Sequence, residues 1–375
     1  MSFPKILQIV PALSGSLGRA TLDAAQAVIA DGGAALVASP GGTMLPDLLR
    51  LRATHIDVPA ERHALLARLR QPARLYNEAR ELDLNVIHAR SPIAAWTART
   101  LARRLKLKWL ATLHQPTQAA GSLGTHVERQ QAHADALIAV SEHVANDMRR
   151  RLPAMTERLQ VIPPGVNLDR FDPAVVRPDR VIKLATDVRV PDGAHVVLCP
   201  GRFTEDRGQK TLIEAIKMIG RDDVFGLLLG SIGAPTAFEK ELERTIEASG
   251  LNGRVQIGPY IEDMPAAYLL ADVVVATGGA RQGFSRPVVE AQAMGRPVVC
   301  ELGGGAAEAV VDGITGWLAA EGDAASMARA IRSALALSAD RRAEFARAAQ
   351  NNIRIHHGLE RANARLLQVY EGLLA

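Results

Sequence analysis

Cysteine is scarce, with two in 375 residues, Cys199 and Cys300. Each ends an apolar run, no Cys-x-x-Cys occurs, and two thiolates cannot complete a zinc site alone. The pair reads as buried reduced thiols, which fits a cytoplasmic protein. Aromatic residues make up 4% of the chain. Few of them interleave the basic clusters and no recognition motif appears, so nucleic acid is not an expected partner. No apolar run approaches the ~18 residues of a membrane span. The start, Met1-Ser2-Phe3-Pro4-Lys5, passes at once into Ile6-Leu7-Gln8-Ile9-Val10, the pattern of a short buried strand rather than a signal peptide. A serine elbow, a Walker loop and an HExxH helix are all missing. His126 and His133 stand seven apart without a third ligand nearby, so no metal is expected.

Charge is present but uneven. The net charge is +4, yet residues 1–170 hold 21 Lys and Arg against 14 Asp and Glu, and the remainder 23 against 26. The basic half gathers its charge in Arg62, Arg68, Arg70 and Arg74, then Arg99, Arg103, Arg104, Lys106 and Lys108, then Arg149-Arg150-Arg151. Trp96 and Trp109 flank the middle group. Such asymmetry points to an anionic partner for the first half, and aromatic plus basic residues suit a membrane interface. The inner face of the cell membrane is therefore an expected peripheral surface. Solvated helix faces explain the same residues more plainly.

Short apolar runs alternate with longer amphipathic segments. Strands are expected near 5–10, 34–38, 54–58, 85–88, 108–113, 136–140 and 158–162, with helices near 20–31, 62–80, 92–105, 125–134 and 141–151 between them. Proline, glycine and Asn/Asp in 163–173 mark a connector. Strands then resume near 195–199, 225–230, 254–257, 272–276, 297–300 and 316–318, with helices near 209–219, 235–248, 263–270, 287–294, 323–336 and 339–351. This alternation defines an α/β chain with parallel sheets covered on both faces. We expect two Rossmann-like domains, 1–172 and 173–354, with a C-terminal helix over 355–375 completing the first. That helix carries Leu359, Ala362, Leu366, Leu367, Tyr370 and Leu374 at helical spacing.

The candidate chemistry lies in strand-to-helix loops. Gln282-Gly283-Phe284-Ser285 follows the run Val273–Ala276 and opens a helix carrying Glu290. A polar loop and an inward carboxylate there suit a nucleotide at the carboxyl ends of parallel strands. Arg202 ends another strand, and Arg207 follows five positions later, just before a helix. Two cations at a helix N-terminus can clamp a diphosphate. Gly303-Gly304-Gly305 enters a further helix and allows close backbone approach. In the first half, Ser14-Gly15-Ser16-Leu17-Gly18 follows the first strand but lacks the three-glycine dinucleotide spacing. Gly42 and Thr43 stand where an acidic ribose ligand would be needed, which argues against a nicotinamide cofactor. His114 ends the strand Trp109–Leu113, also at a carboxyl edge.

Taken together these segments resemble a retaining glycosyltransferase of family 4, with the GT-B architecture of two Rossmann-like domains facing across a cleft. Nearly the whole chain takes part. The match includes Leu7–Leu13, His88-Ala89-Arg90-Ser91, Ala139–Glu142, Val161–Asn167 and Pro200-Gly201-Arg202, and most specifically Asp263–Tyr268 and Val289–Val299. The resemblance implies transfer of a sugar from a nucleoside-diphosphate donor to a glycan or lipid-linked acceptor, with retention and no cofactor or metal, in cell-surface polysaccharide or lipopolysaccharide synthesis. It also implies roles. Arg202 and Arg207 neutralise the leaving diphosphate and Glu290 holds the ribose. Gln282 faces the donor sugar, and Gly283, Phe284 and Ser285 contact sugar or phosphate. Tyr260 and Ile261 meet the base. Gly15, Ser16 and His114 reach the donor from the first domain.

The chain departs from the family pattern at that site. Gln282 stands where the family has a glutamate, and Arg207 where it has a lysine. Ser16, Gly18, Gln115, Pro164 and Ser285 replace Gly, Glu, Gly, Arg and Gly respectively. Altered donor choice and a catalytically silent binding or scaffold protein both fit these changes. A sugar-nucleotide epimerase on the same fold would need acid and base residues that the sequence does not place.

Overall fold

A computed structural model describes residues 4–58, 64–116 and 129–374, with 64–71 as backbone only. Arg62 and His126, named above, lie outside the described residues, as do the side chains of Arg68 and Arg70. The chain forms two compact units, Met1–Gly165 with Leu359–Ala375, and Val166–Gly358.

The first unit is built on seven strands: β1 (Lys5–Ile9), β2 (Ala34–Ser39), β3 (Thr54–Asp57), β4 (Val86–Ala89), β5 (Lys108–Leu113), β6 (Ala136–Ala139) and β7 (Leu159–Val161). Their order is β3-β2-β1-β4-β5-β6-β7, and every pairing is parallel. The second has six: β8 (His195–Pro200), β9 (Val224–Ser231), β10 (Val255–Pro259), β11 (Val273–Ala276), β12 (Val298–Glu301) and β13 (Trp317–Ala319). They run β10-β9-β8-β11-β12-β13, again all parallel. Continuous apolar runs such as Val273-Val274-Val275, all fully buried, are what a sheet covered on both faces requires. Some helices start where a side chain caps them. Ser91 Oγ accepts from Ala94 N at 3.1 Å with Pro92 at the first position, and Thr236 with Glu239 forms a full capping box.

The divide between units falls earlier than the expected boundary after residue 172. Val166 and Phe171 explain this. Both are buried in the second unit's core, where the Phe171 ring lies 6.1 Å from that of Tyr268. The return also differs. Helix Ala339–His356 runs past the expected 351, Gly358 forms a parallel bridge with Val166, and a new helix occupies Leu359–Leu374 rather than starting at 355. Its Leu366, Val369 and Tyr370 join the first unit's core as the apolar stripe requires. Two short helices escaped the sequence reading, Leu45–Arg50 and Pro178–Asp187. Each fully buries a single leucine, Leu48 and Leu184, and Val181 also packs on the second core. Trp109 is buried beneath the first unit's helices and cannot serve as an interfacial aromatic.

Tyr370 ties the last helix to a buried polar chain. Hydrogen bonds link Tyr370 Oη to His88 Nδ1 and Thr112 Oγ1 to His88 Nε2, both at 2.7 Å. Burial, then the charges of Arg90 and His114, hold His88 well below the usual histidine range. A histidine kept neutral in the fold favours the folded state fully above its unfolded pKa of about 6.5. That contribution is lost as pH falls below this value, because the unfolded chain then binds the proton. The melting temperature should therefore drop as pH falls below about 6.5, and less steeply in His88→Asn. Equal pH slopes for the two proteins would refute the assignment.

Candidate functional site

In the second unit the strand order reverses between β8 and β11. Such a reversal opens a crevice outside the carboxyl ends of the two strands. Six of the expected residues, Arg202, Arg207, Gln282, Gly283, Phe284 and Ser285, lie on the loops that leave those two strands.

After β8 the chain turns through Gly201. Gly201 N donates to Leu229 O at 2.9 Å, and a Cβ on Gly230 would overlap Gly201 O. Gly230→Ala should cost about 2–4 kcal/mol, because backbone rather than a flexible side chain blocks it. An unchanged denaturant midpoint would show that the strand ends can part. Buried Gln209 holds the loop from below, its Nε2 donating to Arg202 O at 2.9 Å. Arg202 is exposed and Arg207 half-buried. Burial first, and next the Arg202 guanidinium, hold Arg207 below the usual arginine range, with Asp206 offsetting in part. A guanidinium nonetheless stays charged, so two cations share one loop.

After β11 come Thr277, Gly278 and Gly279. Thr277 Oγ1 donates to Arg207 O, which ties the two loops together. Gly278 N donates to Glu301 Oε2 at 2.7 Å, and Glu301 Oε1 accepts from Gly322 N at 3.1 Å. Glu301, the last residue of β12, is buried. Ala280 N donates to Glu321 Oε1 at 2.8 Å. Two carboxylates thus fix the backbone just before Gln282. The Gln282 side chain folds onto Gly278: a Cβ there would stand 2.7 Å from Gln282 Nε2 and 3.0 Å from Asp206 O. Gln282 is 5% exposed, and its Nε2 has no hydrogen-bond partner among the described residues. Its carbonyl accepts from Gly305 N at 2.9 Å, and a Cβ on Gly304 would overlap Gly279 O. The triple-glycine loop after β12 is therefore a close-packing device against the Gln282 loop.

Gly283, Phe284 and Ser285 lead into helix Arg286–Ala293, and the Ser285 hydroxyl does not cap it. The Phe284 ring lies 6.2 Å from that of His357, which burial, then His356, pushes down to about 4. Glu290, one helical turn in, is half-buried, and its Oε2 accepts from Tyr268 Oη at 2.8 Å. Burial, then the Glu290 charge, push the Tyr268 phenol well above its usual range. Tyr268 therefore remains a donor that orients the carboxylate. Tyr260 and Ile261 follow β10 at the same edge. Tyr260 is 44% exposed, and its amide donates to Ser231 O at 2.7 Å.

The remaining expected residues lie on the carboxyl edge of the first unit's sheet. Gly15, with φ +59°, and Ser16 open helix Gly15–Ala30 and are both exposed. Gly18 has no room for a side chain, because a Cβ would stand 2.8 Å from the Leu13 carbonyl carbon. The absence of a glutamate there is thus built into the local packing. His114 is half-buried at the end of β5, and Gln115 beside it is exposed. Sequence reasoning missed Glu301, Thr277 and Tyr268 as site-shaping residues. The readable signal was a carboxylate closing an apolar strand, one residue ahead of three glycines.

Residues 17–170 match the model for Glycosyltransferase Family 4, and residues 183–352 that for Glycosyl transferases group 1. With its two parallel sheets, the chain has the GT-B fold and carries glycosyltransferase family 4 and group 1 domains. Its whole length is similar to a glycosyltransferase from Rickettsia africae ESF-5, at 25% identity, a TM-score of 0.89 and coverage of 100% of this chain and 99% of that one. Anabaena Alr3699/HepE, solved in complex with UDP and glucose, shares the fold at 22% identity and a TM-score of 0.87, over 98% and 99% of the two chains. The D-inositol 3-phosphate glycosyltransferase of Xylanimonas cellulosilytica is 34% identical over 247 residues, 65% of this chain and 58% of the relative. The chain thus spans less than two thirds of the length of the curated relatives it matches.

Proposed function

We propose that this protein transfers a hexosyl sugar, with retention, from a nucleoside-diphosphate donor to a glycan or lipid-linked acceptor in cell-surface glycan synthesis. The observation that carries the reading is the pair Arg202 and Arg207 on a loop tied by Thr277 to the one that carries Gln282, with Glu290 held by Tyr268 one turn into the next helix. When the bond from the anomeric carbon to the diphosphate oxygen breaks, negative charge gathers on the diphosphate. The two guanidiniums stabilise that charge without a metal. The acceptor oxygen forms the new bond to the anomeric carbon, and its proton passes to the departing diphosphate oxygen. Glu290 accepts from the ribose hydroxyls. Gln282, Gly283, Phe284 and Ser285 line the sugar end, and Tyr260 and Ile261 the base end. His114, Gly15 and Ser16 are assigned to donor contact from the first unit. The UDP and glucose in the Anabaena neighbour support a uridine nucleotide as the first candidate. The name of the Xylanimonas relative adds a phosphorylated polyol to the acceptors worth testing.

Isothermal titration with UDP, GDP and a panel of nucleotide sugars tests the reading, and no binding to any nucleoside diphosphate would sink it. The unpartnered Gln282 amide favours one rival, a silent protein that binds the donor without turning it over. In that case the wild type shows no turnover and Gln282→Glu gains donor hydrolysis. In the leading reading the wild type is itself active.

A further inference from the structure

Four of the eight cations in the first unit's second and third basic groups pair with carboxylates. Arg149 pairs with Glu142 at 2.8 Å, Arg150 and Arg151 with Asp147 at 3.5 and 3.0 Å, and Lys108 with Asp135 at 3.3 Å. Arg99, Arg103 and Arg158 form no ion pair among the described residues, and all three converge on residues 130–134. Arg99 and Arg103 stand one turn apart on helix Pro92–Leu105, which packs against the short turn Gln131–His133. Arg99 Nη1 donates to Gln130 Oε1 at 2.6 Å. From the other side Arg158, closing the turn Pro153–Arg158, donates from Nη1 to Ala134 O at 2.9 Å. His133 stands in the chain between these two anchors. Arg103, His133 and Arg158 are exposed and Arg99 is half-buried. Asp135, two residues on, is turned to Lys108 Nζ and to Trp109 N.

The topology sets this cluster apart from the donor loops. Helix Pro92–Leu105 leaves the carboxyl end of β4 and runs back, so Arg99 and Arg103 lie toward the amino-terminal edge of the sheet. Residues 130–134 lead into the amino end of β6, and Arg158 into that of β7. Gly15, Ser16 and His114 occupy the opposite, carboxyl edge.

We propose that Arg99, Arg103, Arg158 and His133 form a binding site for a phosphate ester, separate from the donor crevice. Three guanidiniums can each give paired donors to a tetrahedral oxyanion, whereas one carboxylate would satisfy only one of them. The imidazole adds a fourth donor when charged. Partial burial, then Arg99, Arg103 and Arg158, hold His133 below its usual range. A bound anion reverses that repulsion and raises it. The phosphate can belong to an anionic phospholipid headgroup or to a free phosphate compound.

Two probes distinguish these sources. Inorganic phosphate is titrated into the full chain while the His133 ring signals are followed by NMR across pH. Co-sedimentation is measured with phosphatidylcholine vesicles with and without phosphatidylglycerol. Binding to phosphate, with a rise in the His133 pKa, supports the site and a soluble ligand. Binding only to the anionic vesicles supports the site and a headgroup. In either case Arg103→Glu with Arg158→Glu should weaken binding by about tenfold or more. Arg149→Glu with Arg150→Glu, an equal charge change, should leave it within about twofold, because surface pairs of that kind contribute little. No binding to either probe, an unmoved His133 pKa when phosphate binds, or equal loss in the two double variants would overturn the proposal. The NMR arm uses the unaltered protein, so it stands even if a double variant does not fold.

Discussion

Arg207→Ala is expected to lower kcat/KM for sugar transfer by about a hundredfold or more, the usual cost of removing one group that meets charge developing in a transition state. The basis is local. Arg207 sits half-buried on a loop whose backbone is fixed from two sides, by Thr277 Oγ1 at its own carbonyl and by Gln209 Nε2 at the Arg202 carbonyl. A loop held this way presents the guanidinium from a backbone that is already ordered. The neighbouring Arg202 raises its stake, because two cations on one loop repel until an anion lies between them. The ground-state diphosphate already carries negative charge, so part of the loss should appear in the affinity for the nucleotide. The larger part should appear in kcat, because the charge grows as the sugar departs. Arg207→Lys keeps the charge but loses the planar fork, and should fall between wild type and alanine. The measurements are steady-state kinetics with the donor found by titration and the Kd for its nucleoside diphosphate. An alanine variant within threefold of wild type in kcat/KM would remove Arg207 from the site.

What the sequence made legible follows from the range of the interactions involved. Parallel strands covered on both faces must be apolar at nearly every position, so Val196–Cys199, Val273–Val275 and Val298–Cys300 announce themselves, and the amphipathic helices fall between them. Polar loops at strand ends carry Arg202, Arg207 and Gln282, with Glu290 in the helix that follows, and local sequence is enough to mark them. Features that depend on distant partners were not legible. Val166 and Phe171 read as connector residues beside Pro163-Pro164-Gly165, yet their partners are Tyr268 and the second core, about a hundred positions on. Trp109 reads as an interfacial aromatic because basic residues flank it, but a residue inside β5 is covered from both faces. Helix Pro178–Asp187 docks through Val181 and Leu184 on the second core and through Arg180 Nε to Asp263 Oδ2 at 2.8 Å, and partners that far along the chain leave no local trace.

Glu301 shows the same limit where it matters most, and Glu301→Ala is expected to give the largest loss of stability. Its two oxygens accept from Gly278 N at 2.7 Å and Gly322 N at 3.1 Å, segments that lie on either side of it in sequence. Alanine leaves both amides without their acceptor and opens a void at a residue that is 3% exposed. Each buried donor left unpaired costs about 1–3 kcal/mol, so a total of about 2–5 kcal/mol is expected. For a unit of this size that is a fall in melting temperature of about 5–15 °C. Glu301→Gln should lose less, since one oxygen can still accept while the new amide group faces the other N–H. Glu241→Ala removes an exposed carboxylate paired with Lys210 and should stay within about 0.5 kcal/mol of wild type. The activity consequence separates a positioning role from a purely structural one. Gly278 is the backbone on which the Gln282 side chain rests, so releasing it frees the proposed sugar end of the site while Glu290 keeps its bond to Tyr268. At a temperature where the alanine variant is folded, affinity for the nucleoside diphosphate should therefore change little and kcat should fall by about tenfold or more. Loss of both in equal measure would mean that Glu301 holds up the fold of the unit and nothing more specific.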